Sequence, residues 1–317
     1  MQIDAQDVCR LLPWHELIQA LEDIFTRKVG APVRHHHTMP VPGDPDATLL
    51  LMPAWLEGEY LGVKQVNVFP GNNNRGLPGL TSHYTLSCGK SGRPLAQLDG
   101  NEITARRTAA ASAMASRYLS REDTHSMLMV GAGRMGQRLI PAHMSVRPIN
   151  KVWVWDRSEQ ASQALVDQLV AQDIDAQVCP VADLANVAGQ VDLISCATMA
   201  TEPLILGDWL KPGTHLDLVG SFTPEMREAD NRVMQRGQIF VDTRAGALSE
   251  TGDLISPIQQ GAISEADIQA EFTELCSGQH KGRAQLDDPT QSITVFKSVG
   301  DSREDLAAAI LAYQRAQ

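Results

Sequence analysis

The stretch from Met127 to Asp156, MLMVGAGRMGQRLIPAHMSVRPINKVWVWD, decides the fold. It reads as a short apolar strand over Met127–Val130, a glycine turn, a helix, a second strand over Lys151–Trp155 and a terminal acid. In Gly131-Ala132-Gly133-Arg134-Met135-Gly136 the first glycine permits the tight turn and the second lets a pyrophosphate approach the backbone. Gly136 lets the helix pack closely on its strand, and the helix N-terminus offers free N–H groups and a positive dipole end to the phosphates. A lone glycine pattern of this kind is weak evidence. The strand before it, the helix after it and an acid 20 residues past Gly136 make it specific for a dinucleotide. Asp156 stands where a carboxylate accepts hydrogen bonds from the adenosine ribose hydroxyls, which favours NAD and repels a 2′-phosphate. Arg157, one residue on, is a guanidinium able to turn toward a 2′-phosphate, so the cofactor is read as NAD(P)H with NAD slightly favoured.

Outward from this unit the alternation continues. The runs AQVCP, VDLISCAT, THLDLVGS and QIFVDT each follow a helical or polar stretch, which is the pattern of a doubly wound parallel sheet, the Rossmann arrangement of an α/β protein. QIFVDT reads as the last Rossmann strand, with residues 285–300 and a helix from about Arg303 to Ala316 following it and returning to the first domain. Before the glycine unit, residues 4–29 carry apolar positions at helical spacing, with Pro13 beginning a second helix. From Arg34 to Leu98 short β-rich runs broken by glycine and proline predict a mixed or antiparallel sheet. Thr104–Leu119 is alanine-rich without a breaker and predicts a helix linking two domains. The expected boundaries are 1–120, joined by 301–317, for an α+β domain, and 121–300 for the Rossmann domain.

A chain of 317 residues can bury more than one core, and 43% hydrophobic with 21% charged content is ordinary for a soluble globular protein. The formal charge of −11 argues against nucleic acid or an anionic membrane as partner, so an anionic ligand needs a locally basic pocket. The 5 cysteines are widely spaced with no CxxC pair, reading as reduced thiols of a cytoplasmic protein. No signal peptide or membrane span is expected. His35-His36-His37 is not read as a metal site, because neighbours on an extended chain alternate faces and no acid or cysteine has ligand spacing. Asn72-Asn73-Asn74 reads as a turn-rich loop. Met127 and Met129 read as core.

Linked motifs then point to a family. Pro32-Val33-Arg34, Leu61-Gly62-Val63-Lys64, Asp99-Gly100-Asn101 with Ile103–Ala110, the GAGRMG loop and Phe296-Lys297-Ser298-Val299-Gly300 together resemble the ornithine cyclodeaminase and mu-crystallin family over essentially the whole chain. The resemblance implies a Rossmann domain beside a substrate-binding and dimerisation domain, and hence a homodimer. It implies that Arg34 and Arg107 hold a substrate carboxylate, where a planar fork suits two oxygens, and that Lys64 lies beside the reacting carbon. Taken alone, each of these cations reads as a solvated or snorkelling side chain. Arg106, about 100° round the helix from Arg107, reads as a surface or phosphate contact. By position the resemblance places Arg134, Met135, Asp156, Arg157, Thr198, Val219 and Gly220 on the cofactor, with Ser298, Val299 and Gly300 closing the pocket near nicotinamide and substrate.

One departure bears on the reaction. Cyclodeaminases and related alanine dehydrogenases of the family carry an aspartate after the fifth Rossmann strand, and here Val219-Gly220-Ser221-Phe222 puts a phenyl ring there. A phenyl ring neither binds an ammonium ionically nor acts as a base. The resemblance therefore implies the ketimine reductase branch, reducing Δ1-pyrroline-2-carboxylate and Δ1-piperideine-2-carboxylate, with Lys64 and Glu250 as candidate catalytic groups and His83 as a further proton-handling candidate. The rivals are an ornithine or lysine cyclodeaminase or alanine dehydrogenase, which needs Glu225 or Glu228 to replace the missing acid, and a non-enzymatic NADPH- and ligand-binding protein like mu-crystallin.

Overall fold

The computed structural model describes residues 1–317, the side chain of Asn73 excepted. Two compact units emerge, residues 1–108 with 301–317, and residues 109–300.

The first unit begins with β1 (Gln2–Ile3), α1 (Ala5–Leu11) and α2 (Trp14–Phe25). Asp4 caps α1 by accepting from the Asp7 N–H at 2.9 Å, and Pro13 is the residue just before the first turn of α2. The amphipathic spacing is realised: Leu17, Ile18, Leu21, Ile24 and Phe25 of α2 are all buried. The strands are β2 (Val29–Gly30), β3 (His35–Met39), β4 (Ala47–Leu56), β5 (Tyr60–Val68), β6 (Leu80–Cys88) and β7 (Pro94–Asp99), followed by α3 (Gly100–Leu119). Pro70–Arg75, which covers the asparagine run, is a 3-10 turn, with the Asn73 side chain outside the described residues. The sheet runs β1-β7-β6-β5-β4-β2 with β3 also on β4, antiparallel except for the parallel β1–β7 pair.

The second unit holds β8 (Ser126–Val130), α4 (Gly136–Met144), β9 (Lys151–Trp155), α5 (Glu159–Val170), β10 (Ala176–Val178), α6 (Leu184–Ala188), β11 (Leu193–Cys196), β12 (His215–Leu218), α7 (Asn231–Arg236), β13 (Gly237–Val241), α8 (Arg244–Glu250), α9 (Gly252–Gln259), β14 (Ile268–Glu271), α10 (Phe272–Cys276) and β15 (Ile293–Lys297). Its eight strands run β10-β9-β8-β11-β12-β15-β13-β14, and every pair is parallel. The order reverses between β8 and β11, the switch point at which α/β sheets bind ligands. Strands buried on both faces need continuous apolar runs, and Met127–Val130 of β8 is wholly buried, both methionines included.

Two expectations need correction. Residues 285–300 do not return to the first unit: β15 lies inside the parallel sheet between β12 and β13, and QIFVDT is not the last strand. Only the helix α11 (Ser302–Arg315) returns, packing on α2 and the sheet of the first unit. The division between the units also falls within α3 at 108/109 rather than at 120/121. The physical reason lies in each segment's partners. Arg106 and Arg107 bond within the first unit, whereas Ser116 meets His143 at 2.9 Å and the Leu119 carbonyl accepts from Arg283 in the second.

Candidate functional site

The predicted positions divide between the two units. In the second unit the glycine loop leaves β8 with Gly131 at φ +109, a left-handed conformation that disfavours any residue with a Cβ. A Cβ on Gly136 would lie 2.6 Å from the Gly131 carbonyl oxygen, so the third glycine is what lets the helix start sit against the turn. Gly133 differs from both, since a Cβ there would meet nothing within 4 Å. Its open face is the cradle a pyrophosphate would fill, at the beginning of α4.

Beside it is a cavity of about 400 Å³ lined by Gly131, Gly133, Asp156, Arg157 and Thr198 from the predicted set, and by the segment Met199–Glu202 that sequence reasoning did not name. Asp156 is oriented by its surroundings: its Oδ2 accepts from Ala132 N–H and its Oδ1 from Ser158 N–H, both at 3.0 Å. A carboxylate has about four lone-pair sites, so two remain for ribose hydroxyls. Arg157 is exposed at the rim. Arg134 and Met135 lie in the loop, Val219 and Gly220 follow β12, and Ser298 follows β15, its N–H donating to the Leu218 carbonyl at 3.2 Å. All of these are at the carboxyl ends of parallel strands.

The first unit buries the cations. Lys64, on the inward face of β5, is 2% exposed and Arg107, on α3, is 4% exposed. Their partners, Glu304 and Asp305 in the first turn of α11, were not expected from the sequence. Lys64 Nζ is 2.9 Å from Asp305 Oδ1 and 2.8 Å from Oδ2, while Arg107 donates through Nε to Asp305 at 2.9 Å and through Nη1 to Glu304 at 2.6 Å. Burial is the largest influence on Lys64 and pulls its pKa down to about 8; Asp305 draws it back up, and the nearby charges of Arg107 and Arg34 push it down again. Asp305 responds oppositely. Burial alone would raise its pKa, but it faces two cations, which hold it below the usual carboxylate range. Arg34, half-buried just before β3, is thus part of the same electrostatic neighbourhood.

Lys64 and Arg107 thus meet on Asp305, Glu304 holds the other side of Arg107, and the half-buried Arg34 lies near enough for its charge to act on Lys64. Arg107 offers its Nη2 edge and Lys64 a third N–H direction, which is the donor set for one carboxylate. The Tyr84 hydroxyl is fully buried and without a hydrogen-bond partner, and burial first, then the nearby charge of Asp305, pushes its pKa up.

Other predicted positions read differently in place. Val299 and Gly300 present their N–H groups to Asp242 Oδ2, at 2.7 and 2.6 Å, so those amides are already engaged. Glu250 ends α8, half-buried, next to the Thr251 cap of α9. His83 is half-buried in β6 opposite Asp99. Arg106 is neither a surface nor a phosphate contact. It is 6% exposed, donates to the Leu12 carbonyl at the end of α1 and stacks 4.1 Å from the Trp14 ring centroid. Of the substitute acids, Glu225 is exposed and Glu228 is sealed, while Phe222 is 53% exposed. No group of three or more potential metal ligands occurs among the described residues, the histidine run on β3 included. The chain Ser116–His143–Asp217 has the residue types of a hydrolytic triad, but all three are 0% exposed and beyond a substrate's reach.

Known proteins share this architecture. The ornithine cyclodeaminase/mu-crystallin family matches residues 1–317. A Δ1-pyrroline-2-carboxylate reductase of Paracoccus denitrificans is 36% identical over 311 residues, 96% of this chain and 93% of that protein. The rat ketimine reductase mu-crystallin is 34% identical over 264 residues, 83% of this chain and 79% of its own. The Thermococcus litoralis Δ1-pyrroline-2-carboxylate reductase, solved with NADH and L-proline, superposes with a TM-score of 0.90 at 33% identity, covering 100% of this chain and 97% of that one. By its length, its two sheets and its linked motifs, the chain belongs to the ornithine cyclodeaminase/mu-crystallin family.

Proposed function

We propose that this protein is an oxidoreductase that uses NAD(P)H to reduce cyclic ketimine carboxylates, Δ1-pyrroline-2-carboxylate and Δ1-piperideine-2-carboxylate, to L-proline and L-pipecolate. The observation that carries this reading is the buried pair Lys64 and Arg107, both held by Asp305 with the half-buried Arg34 in their electrostatic neighbourhood, in a chain that also has a cavity beside its glycine loop. Arg107 Nη2 and a further N–H of Lys64 are donors from which one substrate carboxylate would accept. Relatives named Δ1-pyrroline-2-carboxylate reductase support the reaction on the five-membered imine.

A nicotinamide dinucleotide, when bound, would supply a hydride for the imine carbon. The protein's part is position and protons. Arg107, with two of its nitrogens fixed by Asp305 and Glu304, presents Nη2 to the carboxylate in a preset orientation, and Arg34 completes the clamp. Alignment of this kind is worth up to about 7–11 kcal/mol of a reaction barrier. Lys64, poised near neutrality, gives a hydrogen bond or proton as the imine nitrogen becomes an amine, and Glu250 is the second candidate for proton relay. Gly131, Gly133, Arg134, Met135, Gly136, Asp156, Arg157, Thr198, Val219, Gly220 and Ser298 hold the dinucleotide in this reading, with NAD favoured by Asp156. Val299 contributes its side chain near the substrate, because its amide and that of Gly300 are engaged. We place the enzyme in the cytoplasm on its five free cysteines. We take it as a homodimer on the exposed cross-strand pair Trp55 and Leu61.

The cyclodeaminase alternative needs an acid facing the substrate amine. Glu228 spends both carboxylate oxygens on Thr198 and Gly220 and is not available. A pure ligand-binding role gives no task to Lys64, a buried amine whose pKa burial brings down to about 8. The test is loss of absorbance at 340 nm with NADH and NADPH on each imine, beside an ammonia assay on L-ornithine. Oxidation with either imine and no ammonia is expected; ammonia without imine-dependent oxidation would sink the reductase reading.

A further inference from the structure

One fully buried carboxylate has no part in the reaction as proposed, yet it touches the wall of the dinucleotide cavity. Glu228, between β12 and α7, is 0% exposed. Its Oε1 accepts from the Thr198 N–H at 2.7 Å and from the Thr198 hydroxyl at 2.8 Å, and its Oε2 accepts from the Gly220 N–H at 2.7 Å. Thr198 follows β11 and lines the cavity, while Gly220 follows the neighbouring strand β12. One side chain therefore ties two adjacent strand ends together. A Cβ at position 220 would run into both the Thr198 backbone and the Glu228 carboxylate, so the three residues close on one another without spare room.

Glu228 is itself held on both sides. Its N–H donates to Asp253 Oδ1 at 2.8 Å, and its carbonyl accepts from Leu204 and Ile205, at 2.9 and 3.0 Å. Leu204 also lines the cavity. Asp253 Oδ2 in turn lies 3.4 Å from Lys297 Nζ, with both side chains 0% exposed. Lys297 belongs to the Phe296–Gly300 motif and is otherwise unused.

We propose that Glu228 is a positioning residue for the dinucleotide, its carboxylate locking Thr198 and Gly220 in the arrangement that the cofactor binds. Lys297 supplies the counter-charge for the buried Glu228 and Asp253, without which two carboxylates would sit together in a low-dielectric interior. Burial pushes the Glu228 carboxyl up to about 7 and Asp253 adds to the rise, while Lys297 and the bonds from Thr198 oppose it.

The test is Glu228→Gln, read by fluorescence titration of NADH with no imine present. An amide keeps one acceptor oxygen and turns an NH2 toward an N–H donor, so at least one strand end is released. The NADH Kd is expected to rise about tenfold. The KM for the imine at saturating NADH should stay within about twofold, a split that general loss of structure would not produce. Thr198→Val, which deletes the hydroxyl's bond to Glu228 together with the longer one it accepts from the Ala200 N–H at 3.3 Å, should raise the Kd about threefold and provides the reading if the glutamine variant does not fold. An unchanged NADH Kd in either folded variant, or an imine KM that rises as far as the NADH Kd, would overturn the assignment. It rests on the proposed reading only for the identity of the ligand. Wild-type protein that binds NADH but reduces neither imine would refute that reading and leave this one standing.

Discussion

The two units each bury a knot of charge, and the knots are built on opposite plans. In residues 1–108 with 301–317, Lys64, Arg107, Glu304 and Asp305 are side chains from β5, α3 and α11 that bond to one another. In residues 109–300, Glu228 and Asp253 spend their oxygens mostly on backbone N–H groups, and Lys297 faces them as a single cation. Side-chain pairs can share their donors with an arriving anion. A carboxylate already holding backbone amides from two strand ends cannot give one up without releasing the main chain. The first knot is suited to receiving a ligand, the second to fixing the shape of one.

The sharpest way to break this comparison is Lys64→Met, which keeps the stem and deletes the charge. Asp305 retains Arg107 as partner, so the acid is not stranded. If the first knot receives the substrate, kcat/KM for the imine should fall about 10³-fold, the scale for removing one preorganised donor. The NADH Kd should stay within about twofold, since nothing in the dinucleotide cavity changes. Equal losses in imine turnover and NADH affinity would erase the distinction between the two knots.

That distinction was only half legible in the sequence. The glycine loop, the strand before it and Asp156 announce themselves because their signals are local: a turn, a period and a fixed spacing. The place of β15 between β12 and β13 does not, because the lateral order of a parallel sheet is set by crossovers and leaves no mark in neighbouring residues. Glu304 and Asp305 were hidden for another reason. Behind the Asp301 cap they look like the acids that any helix N-terminus welcomes. A signal was nevertheless present, since Leu306-Ala307-Ala308-Ala309 follows at once and leaves this part of α11 no polar face on which two acids could be solvated. Arg106 and Arg107 show the limit of helical geometry. Adjacent residues do point in different directions, but here both directions are buried, one over Trp14 and one toward α11. Glu228 was singled out only as a substitute acid, because its real partners, Thr198 and Gly220, are brought to it by the sheet.

The pH profile sharpens the comparison with a smaller effect. Lys64 titrates near 8 because burial and two cations disfavour its charge. Below that pH it is an ammonium with three N–H donors; above it one proton is lost, and with it the positive charge and the acidic donor. The alkaline limb of kcat/KM should therefore bend near pH 8 and fall about tenfold per pH unit, up to about a hundredfold two units higher. Lys64→Arg keeps a group that stays protonated throughout. Its activity will be reduced, but a limb due to Lys64 should vanish from its profile. A limb unchanged in that variant would belong to the imine itself.

The smallest expected effect tests whether the second unit's carboxylates divide their labour. Asp156 differs from Glu228 in lining the cavity half-buried, with two backbone donors and room for two more. It combines holding the Ala132 turn with meeting a ligand. Asp156→Ser removes the charge that repels a 2′-phosphate and leaves Arg157 at the rim to attract one. The NADH Kd should rise about tenfold, the worth of one bond to a charged acceptor, while the NADPH Kd stays level or falls. Because the serine hydroxyl is too short to reproduce both backbone bonds, some loosening of the glycine turn is built into the variant. That loosening would weaken both dinucleotides alike, so the ratio of the two Kd values carries the test. A ratio unchanged from wild type would mean that Asp156 holds the turn alone, as Glu228 holds the strand ends, and that discrimination at the ribose lies elsewhere in the cavity.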